Sequence, residues 1–302
     1  MAKKILLTGS NGLLGQKLVE LISKDENYEL IATSRGENRL SYKTGYTYHP
    51  LDITDKQDVE AVMAKFQPDY VINSAAMTNV DQCETMKDEC WQLNVRAVEY
   101  IVEACQAHNT FLLHLSTDFI FDGENGPYDE EATPKPISYY GSSKLAAERT
   151  LMKSKIKWAI ARTVLVFGIA EDMSRTNIVL WVKKSLEDKK TIQVVNDQWR
   201  SPTLAEDLAE GCFLILKKDA TGVYNISGKD FLSPYQMAIQ TADFFALDKS
   251  YIVETDSTKF TQPAKRPPRT GFIIDKAVKE LGYHPHSFKE GIAILAQQVS
   301  SH

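Results

Sequence analysis

Tyr140 and Lys144 stand four residues apart in Ser138-Tyr139-Tyr140-Gly141-Ser142-Ser143-Lys144. The run that follows, Leu145-Ala146-Ala147-Glu148-Arg149, favours a helix, and on a helix residues four apart share a face. An ammonium beside a phenol favours the phenolate, so Lys144 is expected to draw the Tyr140 pKa down from about 10. Tyr140 would then both give and take a proton near neutral pH. Two surface residues on a solvated helix would have the same spacing. What argues against that reading is the chain before it, which reads as a nucleotide-binding half.

That half opens with a short apolar strand over 3–8, then Gly9-Ser10-Asn11-Gly12-Leu13-Leu14-Gly15, then an amphipathic helix over 13–23. Strand, glycine turn and helix are the setting of a pyrophosphate-binding loop. Gly9 permits the turn, Gly12 lets the backbone approach the phosphates, and Gly15 lets helix and strand pack. The free N–H groups at the helix start then face the anion. A second buried strand over 29–33 ends at Ser34-Arg35-Gly36, with Arg39 nearby and no acid before Glu37. An acid at this place binds a ribose 2′-hydroxyl and an arginine a 2′-phosphate, so Ser34 and Arg35 favour NADPH, with NADH still admissible.

Further strands are expected over 46–49, 70–73, 111–116 and 158–167, with helices over 56–66 (N-capped by Thr54) and 84–107. Asn94 falls inside the second of these helices and reads as a solvent-exposed polar residue. Ser74, Ala75 and Ala76 follow the fourth strand, where small residues leave room for a cofactor at the sheet's carboxyl edge. Thr117 and Asp118 end the fifth strand and face the same crevice. Strands alternating with helices give an α/β fold, a Rossmann-type doubly wound parallel sheet. From Gly168 the rhythm changes, with helices over 177–186, 204–217, 233–245, 275–281 and 288–299. We expect a dinucleotide-binding domain over 1–167 and a smaller C-terminal substrate-binding part over 168–302. A segment near 201–226 should return to the sheet.

Composition bounds the rest. A net charge of −5 provides no field that recruits nucleic acid, and no segment approaches a membrane span. The apolar run at the amino terminus is too short for a secretory signal. The four cysteines lack metal-type spacing and read as reduced thiols of a cytoplasmic protein.

Taken together these motifs resemble the extended short-chain dehydrogenase/reductase superfamily, and within it the dTDP-4-dehydrorhamnose reductase family. The closer likeness rests on Thr8 to Gly15, Leu51-Asp52-Ile53-Thr54-Asp55, Asn73-Ser74-Ala75-Ala76-Met77-Thr78, Leu115-Ser116-Thr117-Asp118-Phe119, Tyr140 to Lys144, Asp197-Gln198, Pro202-Thr203 and Ala264-Lys265-Arg266-Pro267. The resemblance places Thr117, Tyr140 and Lys144 on the catalytic trio, followed by Asp118. It implies cofactor contacts at Gly9, Asn11, Gly12, Leu13, Leu14 and Gly15, at Asp52 and Ile53 beside the adenine, at Ser74, Ala75 and Ala76, and at Asn94. On the substrate side it implies Thr78, Thr117, Asn177 and Arg266. The family commonly has Trp-Val-Tyr-Gly where this chain has Leu165-Val166-Phe167-Gly168, and a second tryptophan where it has Phe288. Both changes bear on the sugar pocket.

The implied reaction is NADPH-dependent reduction of the keto group of a nucleotide-linked 4-keto-6-deoxy sugar. Two rivals keep the same motifs: an epimerase or dehydratase with retained NAD, and a non-catalytic NADP-binding regulatory subunit. A nucleotide sugar is the expected partner, a homodimer is compatible with the fold, and no metal ligands are assigned.

Overall fold

The computed structural model describes residues 2–172 and 176–300. Residues 1, 173–175 and 301–302, which fall within the expected limits 1–167 and 168–302, lie outside the described residues. Strands β1 (Lys3–Thr8), β2 (Tyr28–Ser34), β3 (Thr47–Pro50), β4 (Tyr70–Asn73), β5 (Phe111–Thr117), β6 (Trp158–Thr163) and β10 (Gly222–Asn225) form one sheet in the order β10-β6-β5-β4-β1-β2-β3. Every pairing in it is parallel. Between them the chain makes β7 (Val166–Phe167), β8 (Ile192–Val195) and β9 (Thr203–Leu204), and later β11 (Ile252–Thr255). β7 pairs with β9 and β8 with β11 as two small parallel sheets.

Helices α1 (Leu13–Ile22), α2 (Lys56–Phe66), α3 (Val80–Thr85), α4 (Lys87–Trp91), α5 (Ala97–His108) and α6 (Tyr139–Lys153) belong to the first part of the chain. The later helices are α7 (Ile178–Glu187), α8 (Ala205–Lys217), α9 (Pro234–Phe244) and α10 (Phe288–Ser300). Side chains alternate across the sheet and build a core on each face. Leu7, Leu30, Ile72, Leu113 and Ala161 pack with Leu18 of α1 and Phe213 of α8. Leu6, Ile31, Val71, Leu112 and Ile160 pack with Val62, Val98 and Leu151 of α2, α5 and α6. The chain crosses to later helices after β6 and comes back as β10, the edge strand beside β6.

Several expectations need correction. The cap of α2 is Asp55, whose carboxylate accepts from the N–H groups of Gln57 and Asp58; Thr54 instead donates its hydroxyl to Asp52. The single helix expected over 84–107 is broken. Met86 leaves helical geometry (φ −120°, ψ 61°) between α3 and α4, and residues Gln92–Arg96 form a π-helical turn before α5. The expected sixth strand over 158–167 divides into β6 and β7, because Leu165 adopts a left-handed φ of 37°. The helix over 275–281 is largely a π-helical turn, Ala277–Leu281.

Candidate active site

The glycine turn brings β1 and α1 so close that side chains cannot be added. A Cβ at Gly15 would lie 2.1 Å from the Gly9 carbonyl oxygen, and one at Gly9, whose φ is +73°, would lie 2.9 Å from the Ala75 nitrogen. Helix α1 starts at Gly12 with no side-chain cap and no acid in its first turn, so its N–H groups are left for an anion. The hydroxyl of Ser10, buried in this turn, has no partner among the described residues. An uncapped helix start, a cradle without Cβ atoms and an orphaned hydroxyl suit a dinucleotide pyrophosphate.

Around this cradle the expected cofactor residues hold one another in place. Asn11 donates to the Glu37 carbonyl (2.9 Å) and accepts from the Arg39 N–H (3.0 Å), tying the loop after β2 to the turn. Leu13 and Leu14 begin α1. Ser34 ends β2, and Arg35 is exposed just beyond it. The Asp52 carboxylate is engaged by the Thr54 N–H (2.9 Å), and Ile53 is buried beside it. Ser74 donates to the Thr8 carbonyl (2.6 Å) and the Ala75 N–H points to the Thr8 hydroxyl (3.4 Å), which leaves Ala75 and Ala76 as the small half-buried floor of the crevice.

Helix α6 presents the tyrosine and lysine. Ser138 caps it by accepting from the Gly141 N–H (3.1 Å), and the Glu84 carboxylate accepts from the Tyr139 N–H (2.7 Å). Gly141 lets the helix start press onto the turn after β5: a Cβ there would sit 2.1 Å from the Phe119 carbonyl oxygen. That contact sets Tyr140 against the Thr117 side chain at the carboxyl end of β5. Thr117 donates to Asp118 (3.0 Å), Thr270 donates to the other Asp118 oxygen, and the buried Arg200 guanidinium stands 3.8 Å away. Burial raises the Asp118 pKa, and Arg200 opposes that shift. Behind the helix, Arg162 of β6 forms a two-point ion pair with Glu148 (3.0 and 2.8 Å), both fully enclosed.

The electrostatics of the pair differ from expectation. Burial raises the Tyr140 pKa above its ordinary value, and Lys144 does not draw it down. The lysine ammonium turns instead to β5, where it donates to the Leu115 carbonyl (2.6 Å) and meets His114 Nε2 (3.3 Å). Burial lowers the Lys144 pKa to about 8.

Other expected residues have different occupations. Asn94 is buried rather than solvent-exposed: its amide spans the Met77 N–H and carbonyl and donates to Ser143, fastening the loop after β4 to α6. Its place in the π-helical turn leaves the side chain facing inward. Asn177 caps α7 and donates to the Gly168 carbonyl (2.7 Å). Arg266 is paired with Asp81 (2.7 Å) on α3, and Thr78 is exposed in the loop after β4. Of the two positions that lack tryptophan, Leu165 is exposed just past β6, whereas Phe288 is buried edge-on to Phe167 in a core with Val179 and Leu204. Reading the sequence by motif missed His114, Asn73, Gly141 and the Arg200–Asp118 contact. The available signal was a polar side chain inside an otherwise apolar strand, Phe111-Leu112-Leu113-His114-Leu115. All four cysteines are buried, and none forms a disulfide. No helix among the described residues is long and apolar enough to cross a membrane.

Residues 3–301 match the family model described as "RmlD substrate binding domain". The chain is 30% identical over 301 residues to the dTDP-4-dehydrorhamnose reductase of Aggregatibacter actinomycetemcomitans, covering 96% of this chain and 97% of that one. It is 28% identical over 256 residues to methionine adenosyltransferase 2 subunit beta of Rattus norvegicus, covering 83% and 75%. The crystal structure of dTDP-4-dehydrorhamnose reductase from Bacillus anthracis in complex with NADP superposes with a TM-score of 0.85 at 26% identity, covering 99% of this chain and all of that one.

Proposed function

This chain belongs to the RmlD substrate binding domain family, and on that premise we propose that this NAD(P)-dependent oxidoreductase of the extended short-chain type reduces the 4-keto group of a nucleotide-linked 6-deoxy sugar. dTDP-4-dehydrorhamnose is the first candidate substrate. The observation that carries the reading is the enclosed grouping of Thr117, Tyr140 and Lys144 at the carboxyl edge of β5, on the same sheet as the glycine cradle. NADPH, when bound, supplies the hydride. The glycine turn and the start of α1 receive its pyrophosphate, and Arg35 with Ser34 receives the 2′-phosphate of the adenosine ribose.

The chain's own work is on the carbonyl oxygen. Tyr140 Oη gives that oxygen its proton as negative charge develops, and the Thr117 hydroxyl, turning its one proton from Asp118 to the substrate, donates a hydrogen bond to it. The raised pKa suits the acid role, because the phenol keeps its proton until a basic alkoxide forms beside it. In the free site Asp118 holds the Thr117 hydroxyl, and Lys144 supplies positive charge beside the forming oxyanion. The burial of Thr117, Tyr140 and Lys144 keeps bulk water from these groups.

The test is loss of NADPH absorbance with dTDP-4-dehydrorhamnose generated in place, with Tyr140→Phe as the control. Proton donation of this kind is worth about 10²–10⁴ in rate, so the variant should lose that much kcat while its NADPH affinity stays near normal. Undiminished turnover by Tyr140→Phe would remove Tyr140 from the role. The likeness to methionine adenosyltransferase 2 subunit beta supports a second reading, a cofactor-binding regulatory subunit. NADPH binding with no turnover of any keto sugar, together with one stoichiometric protein partner, would favour it.

A further inference from the structure

The proposed chemistry leaves a buried row of polar side chains without a task. Thr33, Thr8, Asn73 and His114 are cross-strand neighbours on β2, β1, β4 and β5. They lie on the sheet face that two residues earlier carries Ile31, Leu6, Val71 and Leu112. None is more than 1% exposed. Thr33 donates to the Leu7 carbonyl (2.9 Å), and from Thr8 onward the row is continuous: Thr8 donates to Asn73 Oδ1 (2.6 Å), Asn73 Nδ2 meets His114 Nδ1 (3.1 Å), and His114 Nε2 meets Lys144 Nζ (3.3 Å). Apolar side chains fill the step below it, and buried polar groups are stabilising only when each is satisfied. The place where this row ends is the lysine of the active site.

A buried ammonium has three N–H groups to satisfy. The Leu115 carbonyl takes one at 2.6 Å and His114 Nε2 is placed for a second, which leaves one for the site. Two fixed contacts hold the end of a four-carbon stem that would otherwise sample many rotamers. We propose that His114, held at Nδ1 by Asn73, is a positioning residue that sets the place and the protonation of Lys144. The inference rests on the reading of Tyr140 and Lys144 given above.

The row has two self-consistent proton arrangements, related by a half-turn of the Asn73 amide. In one, Thr8 donates to Oδ1, Nδ2 donates to His114 Nδ1, and His114 Nε2–H donates to a neutral Lys144 amine. In the other, the Lys144 ammonium donates to Nε2, Nδ1–H donates to Oδ1, and Nδ2–H donates to the Thr8 hydroxyl. They differ by the single proton that Lys144 exchanges with solvent. The imidazole itself stays neutral in both, since burial and the nearby lysine charge hold its pKa well below 6.5. The other groups facing Lys144 are Glu148 from its own helix, which is committed to Arg162 of β6, Cys90 from α4, and Tyr140 one turn before.

The experiment measures kcat, the sugar KM and NADPH affinity (by cofactor fluorescence) against pH for the wild type and a small set of variants. In His114→Asn the amide can still meet Asn73 but falls short of Lys144; in His114→Gln it reaches the Nε2 position. The Asn variant should lose about 10–100-fold in kcat, the worth of one charge-assisted hydrogen bond, with little change in sugar KM. Its basic limb should move to lower pH, and the Gln variant should recover most of both losses. Asn73→Asp can only accept from Nδ1–H, which fixes the arrangement with charged lysine and should move the basic limb to higher pH. If the His114 variants do not fold, a basic limb that stays put or moves down in Asn73→Asp overturns the proposal. Equal losses in His114→Asn and His114→Gln, with the basic limb unmoved and only the melting temperature lowered, would overturn the proposal. Tyr140→Phe in the same series separates the two failures. Survival of turnover there removes the underlying reading, whereas loss there beside an unmoved limb in His114→Asn removes only the role of His114.

Discussion

At the scale of single residues, Asp118 does two things that pull against each other. It accepts from Thr117 and Thr270, and it neutralises Arg200 where neither can reach bulk water. Removing one member of a buried pair leaves the other charge without compensation, at a cost of about 3–5 kcal/mol. Asp118→Ala should therefore lower unfolding stability by about 3 kcal/mol in a denaturant titration, besides reducing kcat by releasing Thr117. Lys144 carries a different prediction. Its pKa, lowered to about 8 by burial, means that the ammonium loses its proton as pH rises through that value rather than near 10.5. The protonated form is the one that supports a developing oxyanion, so kcat should fall on the basic side with a midpoint near pH 8. A profile flat to pH 10 would mean that the lysine charge is not required. Residue types and spacing singled out Tyr140 and Lys144, and the family resemblance added Thr117. They were not enough to find His114, because its meaning depends on which strand lies beside β5 and in what register.

Elements place these residues, and the close approaches between them are borne by glycine. Two glycines of one turn make contrasting predictions. A methyl group at Gly15 would meet the Gly9 carbonyl oxygen at 2.1 Å, backbone against backbone, so Gly15→Ala must push α1 off β1. At Gly12 the nearest atom is the same oxygen at 3.3 Å, which a small shift relieves. Gly15→Ala should lose about 1–3 kcal/mol or more of stability along with cofactor binding, whereas Gly12→Ala should keep a near-normal melting temperature and lose chiefly NADPH affinity. Circular dichroism melts and fluorescence titration separate the two. Strand, turn and helix were legible here because the continuous apolar run Ile5-Leu6-Leu7 gives way across the glycines to apolar residues at helical spacing. The interruptions of the long helix were not legible, since Met86 and Asn94 break no propensity rule. Asn94 turns inward because Met77 and Ser143 offer it partners from two other elements, and no local pattern records that.

The whole molecule has a net charge of −5, yet its relative from Bacillus anthracis is seen with NADP, itself an anion. Long-range attraction cannot favour such a ligand here, and the groups we propose to hold it are local: the free N–H groups of α1 and the exposed side chains of Arg35 and Arg39. Both arginines sit on the loop after β2, and Asn11 fixes that loop to the glycine turn by its bond to the Arg39 N–H. Ligand that binds only the folded state stabilises it by about 2.7 kcal/mol at a hundredfold excess over Kd, which for a chain of this size raises the melting temperature by about 5 °C. NADPH should reach that shift at a lower concentration than NADH, because only NADPH carries the 2′-phosphate. Arg35→Ala should bring the two cofactors together by weakening NADPH alone, since the ribose hydroxyl of NADH has no use for the guanidinium. If NADH and NADPH stabilise the wild type equally at equal concentration, the 2′-phosphate is not recognised. Arg35 is then a solvated loop residue, and the retained-NAD epimerase becomes the better reading of the same fold.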